Sequence, residues 1–229
     1  LTTLGTKVFD GCTKLDIVID QNNTSFAEDE SGILYNSTMT EVVDLMGDLE
    51  GEVVLPDSVT TIADGVFAGT GITKITLPAG VTEIPANLFQ NCENLTEVVI
   101  LGRITTIGNY AFQNTALTSF TVGREVTAIG TYAFQGCDKL ETVTFAPNGT
   151  EALVIADYAF QDCTSLTSVD LPVRVRNGKD ASGYASNGID NYAFEGCTNL
   201  TSVTFNVRGG ETLTDYLTFG NYAFSNTGL

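Results

Sequence analysis

The stretch Leu117-Thr-Ser-Phe120-Thr-Val122-Gly123-Arg-Glu-Val126-Thr-Ala-Ile129-Gly-Thr-Tyr132-Ala133-Phe134-Gln-Gly-Cys137-Asp-Lys-Leu140 decides the architecture of this chain. Phe120 and Val122 alternate with Ser119 and Thr121, the pattern of a strand with one buried face. Gly123 breaks that run, and Val126 to Ile129 reads as a short return segment. Tyr132-Ala133-Phe134 follows, too short for a long helix, and reads as one helical or 3₁₀ turn.

The same phrase, an aliphatic residue, then Phe, then Cys or Thr, returns along the chain. It occurs as Leu4…Phe9…Cys12, Ile62…Phe67…Thr70, Ile84…Phe89…Cys92 and Ile107…Phe112…Thr115. It continues as Ile129…Phe134…Cys137, Ile155…Phe160…Cys163, Ile189…Phe194…Cys197 and Phe219…Phe224…Thr227. From Phe67 to Phe134 the anchors fall 22, 23 and 22 residues apart, and the later gaps are 26, 34 and 30. A fixed period of roughly 20–50 residues means stacked repeats. One such unit cannot bury its own apolar side, so neighbours bury it mutually in a continuous column. Each buried Phe contributes about 1.5–3 kcal/mol. Ala111, Ala133, Ala159, Ala193 and Ala223 precede the anchors and are small where the next coil passes, about 4.7–4.9 Å away.

Two turn geometries are predicted. After Cys92, Cys137, Cys163 and Cys197 the next leucine comes three residues later; after Thr70, Thr115 and Thr227 the aliphatic residue comes two later. We therefore expect one solenoid domain over residues 1–229, with an irregular, hairpin-like unit at about 20–58 and insertions at about 173–188 and 206–218. Neither end shows the polar cap a solenoid needs, which is the expectation for a fragment of a longer protein.

These units resemble the BspA-type leucine-rich repeat, a bacterial surface class of 22–23-residue units. Leu117 to Leu140 follows its pattern almost position for position, with Gly123 where that family often has Pro. Ser31-Gly-Ile-Leu-Tyr35 and Val53-Val-Leu-Pro56 look like its hairpin-bearing variant unit. The resemblance implies a β-rich leucine-rich-repeat solenoid, a right-handed superhelix of units each made of a strand, a short return strand and a 3₁₀ or helical turn. It also implies an extracellular or cell-surface location and adhesion to a host or matrix protein, and it carries over no catalytic residues.

Composition narrows the function classes. The formal charge is −18, from 10 Lys and Arg against 28 Asp and Glu. Nucleic-acid binding needs a basic stripe, which is missing, and an anionic membrane would repel the chain. Self-repulsion that keeps a long rod soluble accounts for the charge; a basic partner or bridging Ca²⁺ is the alternative. Glu28-Asp29-Glu30, with Asp44, Asp48, Glu50 and Glu52, is the densest acidic cluster but lacks calcium-loop spacing. No cofactor or metal is expected.

The five Cys all hold one repeat position, so the repeat places them rather than a disulfide framework. Cys137, Cys163 and Cys197 should stack on consecutive coils as buried free thiols. There is no His, which removes the commonest general base and the Ser-His-Asp arrangement. A stacked repeat offers a broad face instead of the cleft a glycosidase pair needs, and no phosphate loop occurs. The chain is read as no enzyme. Trp is absent, which weakens a sugar-stacking platform. Tyr110, Tyr132, Tyr158, Tyr192 and Tyr222 share one position and read as edge packing or as an aromatic binding ladder.

Alternation also selects the outward face. With Ile75 and Leu77 inward, Lys74 and Thr76 point out, as do Glu97 and Val99, Ser119 and Thr121, Thr142 and Thr144, Ser168 and Asp170, and Ser202 and Thr204. Repeat proteins bind on such a continuous face, although Thr is also simply a good exposed strand residue. The insertion carries Arg174, Arg176 and Lys179, followed by Tyr184, on a loop able to carry individuality. The expected partner is an extracellular or host protein, with a glycan as the other ligand class, bound by a monomer. The rival readings are a structural spacer and an accessory recognition arm of a larger surface protein or enzyme.

Overall fold

The computed structural model describes residues 4–5, 7–9, 19–20, 22–147, 153–172, 178–179, 185–186, 188–206 and 219–229. An antiparallel meander comes first: β1 (Phe26–Glu28), β2 (Ile33–Asn36) and β3 (Glu41–Leu45). Asp29 locks its turn. The carboxylate accepts from Ser31 Oγ at 2.6 Å, Tyr35 Oη at 2.7 Å and the Ile33 N–H at 3.1 Å.

Beyond the meander the chain coils. The long strands are β4 (Glu50–Val54), β6 (Gly71–Leu77), β8 (Glu97–Ile100), β10 (Ser119–Val122), β12 (Thr142–Phe145), β14 (Ser168–Pro172) and β17 (Ser202–Asn206). Between them lie two-residue return strands: β5 (Thr61–Ile62), β7 (Glu83–Ile84), β9 (Thr106–Ile107), β11 (Ala128–Ile129) and β13 (Val154–Ile155). β3 joins β5 in parallel, and β7, β9, β11 and β13 form a parallel ladder. Bridges through Ile155, Ile189 and Phe219 extend that ladder. A hairpin of β15 (Gly178–Lys179) and β16 (Ala185–Ser186) stands within the insertion.

The aromatic turn is tighter than a helix. Its hydrogen bonds run i to i+3, as from Gln135 N–H to the Tyr132 carbonyl at 3.2 Å. Left-handed backbone at Tyr132 (φ 58°) and Gly136 (φ 69°) then bends the chain out of any helical run. The second of these positions is filled by Gly69, Asn91, Asn114, Gly136, Asp162, Gly196 and Asn226, the residue types that tolerate positive φ. The freed N–H groups turn to the next coil: Phe112 donates to Ala133 and Phe134 to Ala159, each at 2.7 Å. The turn column is thus laddered like a sheet.

The anchor phenylalanines stack inside it. From Phe89 to Phe224 successive centroids lie 5.0–5.3 Å apart, with rings tilted by 21° or less. Phe67 through Phe194 are fully buried, and the small residues Ala111, Ala133, Ala159 and Ala193 are sealed beside them. One apolar core runs from Ile33 to Ala223.

The Cys and Thr anchors are both small donors to a Phe carbonyl. Cys92 Sγ reaches Phe67 O at 2.9 Å and Cys137 Sγ reaches Phe112 O at 3.0 Å, each one coil back. Thr70 and Thr115 reach Phe67 O and Phe112 O within their own coil, at 2.7 and 3.0 Å. After Cys the chain adds a turn in which the leucine N–H returns to the Cys carbonyl, as in Leu95 to Cys92 at 3.0 Å. After Thr70 the chain enters β6 directly. Hence the leucine spacing of three against two.

Candidate binding surfaces

The long strands present the outward face that alternation predicts, but in two panels. β4, β6 and β8 form one parallel sheet, and β10, β12, β14 and β17 form another. In the first panel Lys74 stands in register with Glu97, and Thr76 with Val99. Lys74 Nζ lies 3.0 Å from Glu97 Oε2. In the second, Thr121 pairs with Thr144 and Asp170 with Thr204, whose Oγ1 donates to Asp170 Oδ1 at 2.6 Å. The expected continuous face is therefore divided: Lys74, Thr76, Glu97 and Val99 on one side, Thr121, Thr144, Asp170 and Thr204 on the other. Arg174, Arg176 and Tyr184 lie outside the described residues, and Lys179 is described only by its backbone in β15.

The division falls at one residue that differs from its neighbours in register. Position 120 holds Phe where the registered strands carry Ile75, Val98, Val143, Val169 and Val203. Its ring packs toward the aromatic column, 5.1 Å from Phe112 and 5.0 Å from Phe134. Val98 and Ile100, inward-facing on β8, are left half-buried, whereas Ile75 and Leu77 are fully buried. Between the panels lies a groove of about 410 Å³ floored by Val98, Ile100, Ile104, Phe120 and Val126. Arg103, Arg124 and Glu125 sit at its rim.

The tyrosines form an uninterrupted stack. Centroids from Tyr110 through Tyr222 are spaced 5.0, 4.7, 4.9 and 5.2 Å, with rings tilted by 15° or less. Tyr110 through Tyr192 are half-buried and Tyr222 is exposed. Stacking covers the ring faces and leaves edges outward, which suits packing better than a sugar-stacking platform. A second ladder is formed by glutamines, and its signal in the sequence is the Gln that follows Phe in four successive units. Gln90 donates to Gln113, Gln113 to Gln135, Gln135 to Gln161 at 2.7 Å, and Gln161 to Glu195 at 2.8 Å. Glu195 can only accept, and so sets the direction of the series.

The described thiols, Cys92, Cys137, Cys163 and Cys197, are free and buried. Burial pushes Cys137 up to about 11 and raises Cys92 and Cys163 above the ordinary 9.0, so these thiols keep their protons at neutral pH. A nucleophilic thiol needs the opposite setting. Asp44, from the acidic cluster, accepts backbone N–H groups of Lys7 and Val8 at 3.1 and 2.8 Å. Among the described residues no group of three His, Cys, Asp or Glu is placed to hold a metal ion. None of their helices is long and apolar enough to cross a membrane.

A parallel strand ladder, a return ladder and a turn column around one apolar core define a leucine-rich-repeat β-solenoid. The chain belongs to the BspA type leucine rich repeat family, whose sequence profile matches in six copies over residues 48–141 and 154–229. No curated relative matches the sequence. Among solved structures it is similar to a leucine-rich repeat protein from Bacteroides ovatus, at 23% identity and a TM-score of 0.62 over 94% of this chain. The pneumococcal vaccine antigen PcpA is similar at 19% identity and a TM-score of 0.61, over 80% of this chain. A Treponema protein (T. pallidum leucine rich repeat protein) is similar at 23% and 0.56, over 79% of this chain and 78% of its own. The chain spans 58% and 50% of the first two proteins. At these identities the likeness is one of fold.

Proposed function

We propose that this chain is a non-catalytic recognition module, displayed at the cell surface or secreted, that binds an extracellular or host protein through its strand face. The observation that carries the reading is the laddered face itself. Exposed side chains are held in fixed register on two parallel sheets, anchored from behind by the stacked Phe column. A surface rigid before binding loses little conformational entropy on association. Membership in a family with surface representatives, and the fold shared with an antigen, support the location.

The test is a binding screen of the purified chain against extracellular-matrix proteins and glycans, with and without Ca²⁺. A saturable protein ligand is expected. Its loss on replacing Lys74, Glu97, Thr121 and Thr144 would place the site on the strand face. Loss on deleting residues 173–188 would move it to the insertion with Arg174, Arg176, Lys179 and Tyr184. The strand face is rich in Thr and Ser and poor in the aromatic and Arg anchors that dominate hot spots, which favours the spacer as the second reading. Background-level binding at high protein concentration would favour that spacer instead.

A further inference from the structure

The groove between the panels opens on the strand side. Behind it the coils are closed: β9 pairs with β11, and the turn column bonds through Phe89 N–H to Ala111 O at 2.8 Å and Phe112 N–H to Ala133 O. On the strand side, β6 pairs with β8 and β10 with β12, yet no ladder joins β8 to β10. In the flanking coils the residue ahead of the strand donates across, as Thr96 N–H does to Thr73 O at 2.9 Å and Glu141 N–H to Thr118 O at 2.9 Å. Two strand edges thus face each other without a shared ladder, over a floor of core-type side chains. Facing edges of this kind are templates for an added strand.

The rim supplies the charge preference. Arg124 Nε lies 3.1 Å and Arg103 Nη1 4.0 Å from the same atom, Glu125 Oε1. Two guanidiniums on one carboxylate leave a positive charge in excess, on a chain whose net charge is −18. Both guanidiniums are well exposed and free to turn their remaining donors to an arriving anion. Resting on the reading of the chain as a recognition module, we propose that this groove docks an extended peptide segment of the partner, laid along β8 and β10, whose carboxylate side chain meets Arg103 and Arg124. The strand edges offer main-chain hydrogen bonds, Val98 and Ile100 receive every second side chain, and the arginines select an acidic residue on the other face. A small amphiphilic carboxylate satisfies the charge and the floor but leaves the strand edges unused.

The probe is a labelled heptapeptide alternating valine with glutamate, titrated against the full chain by fluorescence anisotropy. Its lysine-for-glutamate and proline-interrupted counterparts are the controls. Saturable binding is expected for the acidic peptide, weakened about tenfold or more with either control, since proline removes ladder donors and lysine meets the arginines. The double variant R103Q/R124Q, at exposed positions that leave the core intact, should weaken it to a similar degree. Phe120→Val, restoring the aliphatic residue found in the other strands, should let the panels close and remove binding, with retained folding checked by thermal melting. Equal affinity for all three peptides, indifference to R103Q/R124Q, displacement by octanoate as strong as by unlabelled peptide, or occupation of the groove by a second copy of the chain would each overturn the proposal. If matrix binding persists unchanged in R103Q/R124Q while the peptide fails, the recognition reading stands and the groove is not its site.

Discussion

Tyr132 and Tyr158 stack ring on ring at 4.7 Å and 6°, and both hold left-handed backbone, with φ of 58° and 59°. That conformation costs an L-residue with a Cβ about 1–2 kcal/mol. The ring contacts on either side, and the Tyr132 N–H donated to Asp157 O at 3.1 Å, offset it. Gly65 and Asn87 occupy the equivalent place in earlier coils, with φ of 63° and 57°.

This inverts the usual ranking of alanine and glycine. Tyr132→Ala loses both ring contacts and keeps the backbone strain; Tyr132→Gly loses the contacts but relieves the strain. Glycine should be the more stable variant by about 1 kcal/mol. Urea unfolding of the two proteins compares them directly, and an alanine variant as stable as glycine would show that the strain is not felt.

Phe134→Ala should cost about 3–5 kcal/mol, because the cavity opens between Phe112 and Phe160 within a closed column. Thr144→Ala, exposed on β12, should stay within about 0.5 kcal/mol. Denaturant midpoints for the pair measure the contrast between column and face. Comparable losses would mean the core is not where the aromatic stack places it.

Gln135 accepts from Gln113 and donates to Gln161. Gln135→Ala should cost about 1–3 kcal/mol by orphaning its part-buried neighbours. Gln135→Glu keeps the acceptor and loses the donor, and Gln161 cannot reverse to compensate because Glu195 at its other side only accepts. The glutamate variant should therefore approach wild-type stability when acid protonates its carboxyl. Thermal melts of both proteins at pH 7 and pH 4 test this; a gap that does not narrow on acidification would remove the directional role assigned to Glu195.

Alkali should weaken the fold through the thiols. The folded state holds Cys137 up to about 11 against an ordinary 9.0, with burial as the main cause. Its contribution is complete below pH 9.0 and is lost as pH rises through about 11. The urea midpoint should fall across that interval, and Cys137→Ala should make the fall shallower. A midpoint slope unchanged by the substitution would assign the alkaline loss to other groups, such as Tyr35, which burial and Asp29 also raise.

Most of the architecture was legible because a solenoid writes each coil into a local phrase. The Phe spacing gave the period, strand alternation gave inward Ile75 and Leu77 against outward Lys74 and Thr76, and leucine spacing gave the Cys and Thr turns. The aromatic turn has the i to i+3 bonding expected of a 3₁₀ turn, but the left-handed backbone of its Tyr is not legible in the residues. Tyr-Ala-Phe carries helix-compatible residues, but the φ > 0 at Tyr is imposed by bonding to the next coil, a tertiary cause. The Gln ladder was present as a repeated Phe-Gln pair, yet one glutamine on a strand or turn ordinarily means a solvated surface; only stacking makes it a chain of donors and acceptors.

By itself, then, the sequence determined the repeat, its inward and outward faces, and the stacking of Phe, Tyr and Cys positions, because those follow from periodicity and from the need to bury apolar side chains. The tertiary structure alone decided where the strand face is interrupted. Phe120 fits the apolar pattern as well as valine does. Whether its ring lies over Val98 or swings to Phe112 and Phe134 depends on the space between coils, and the groove beside Arg103 and Arg124 lies where it swings away.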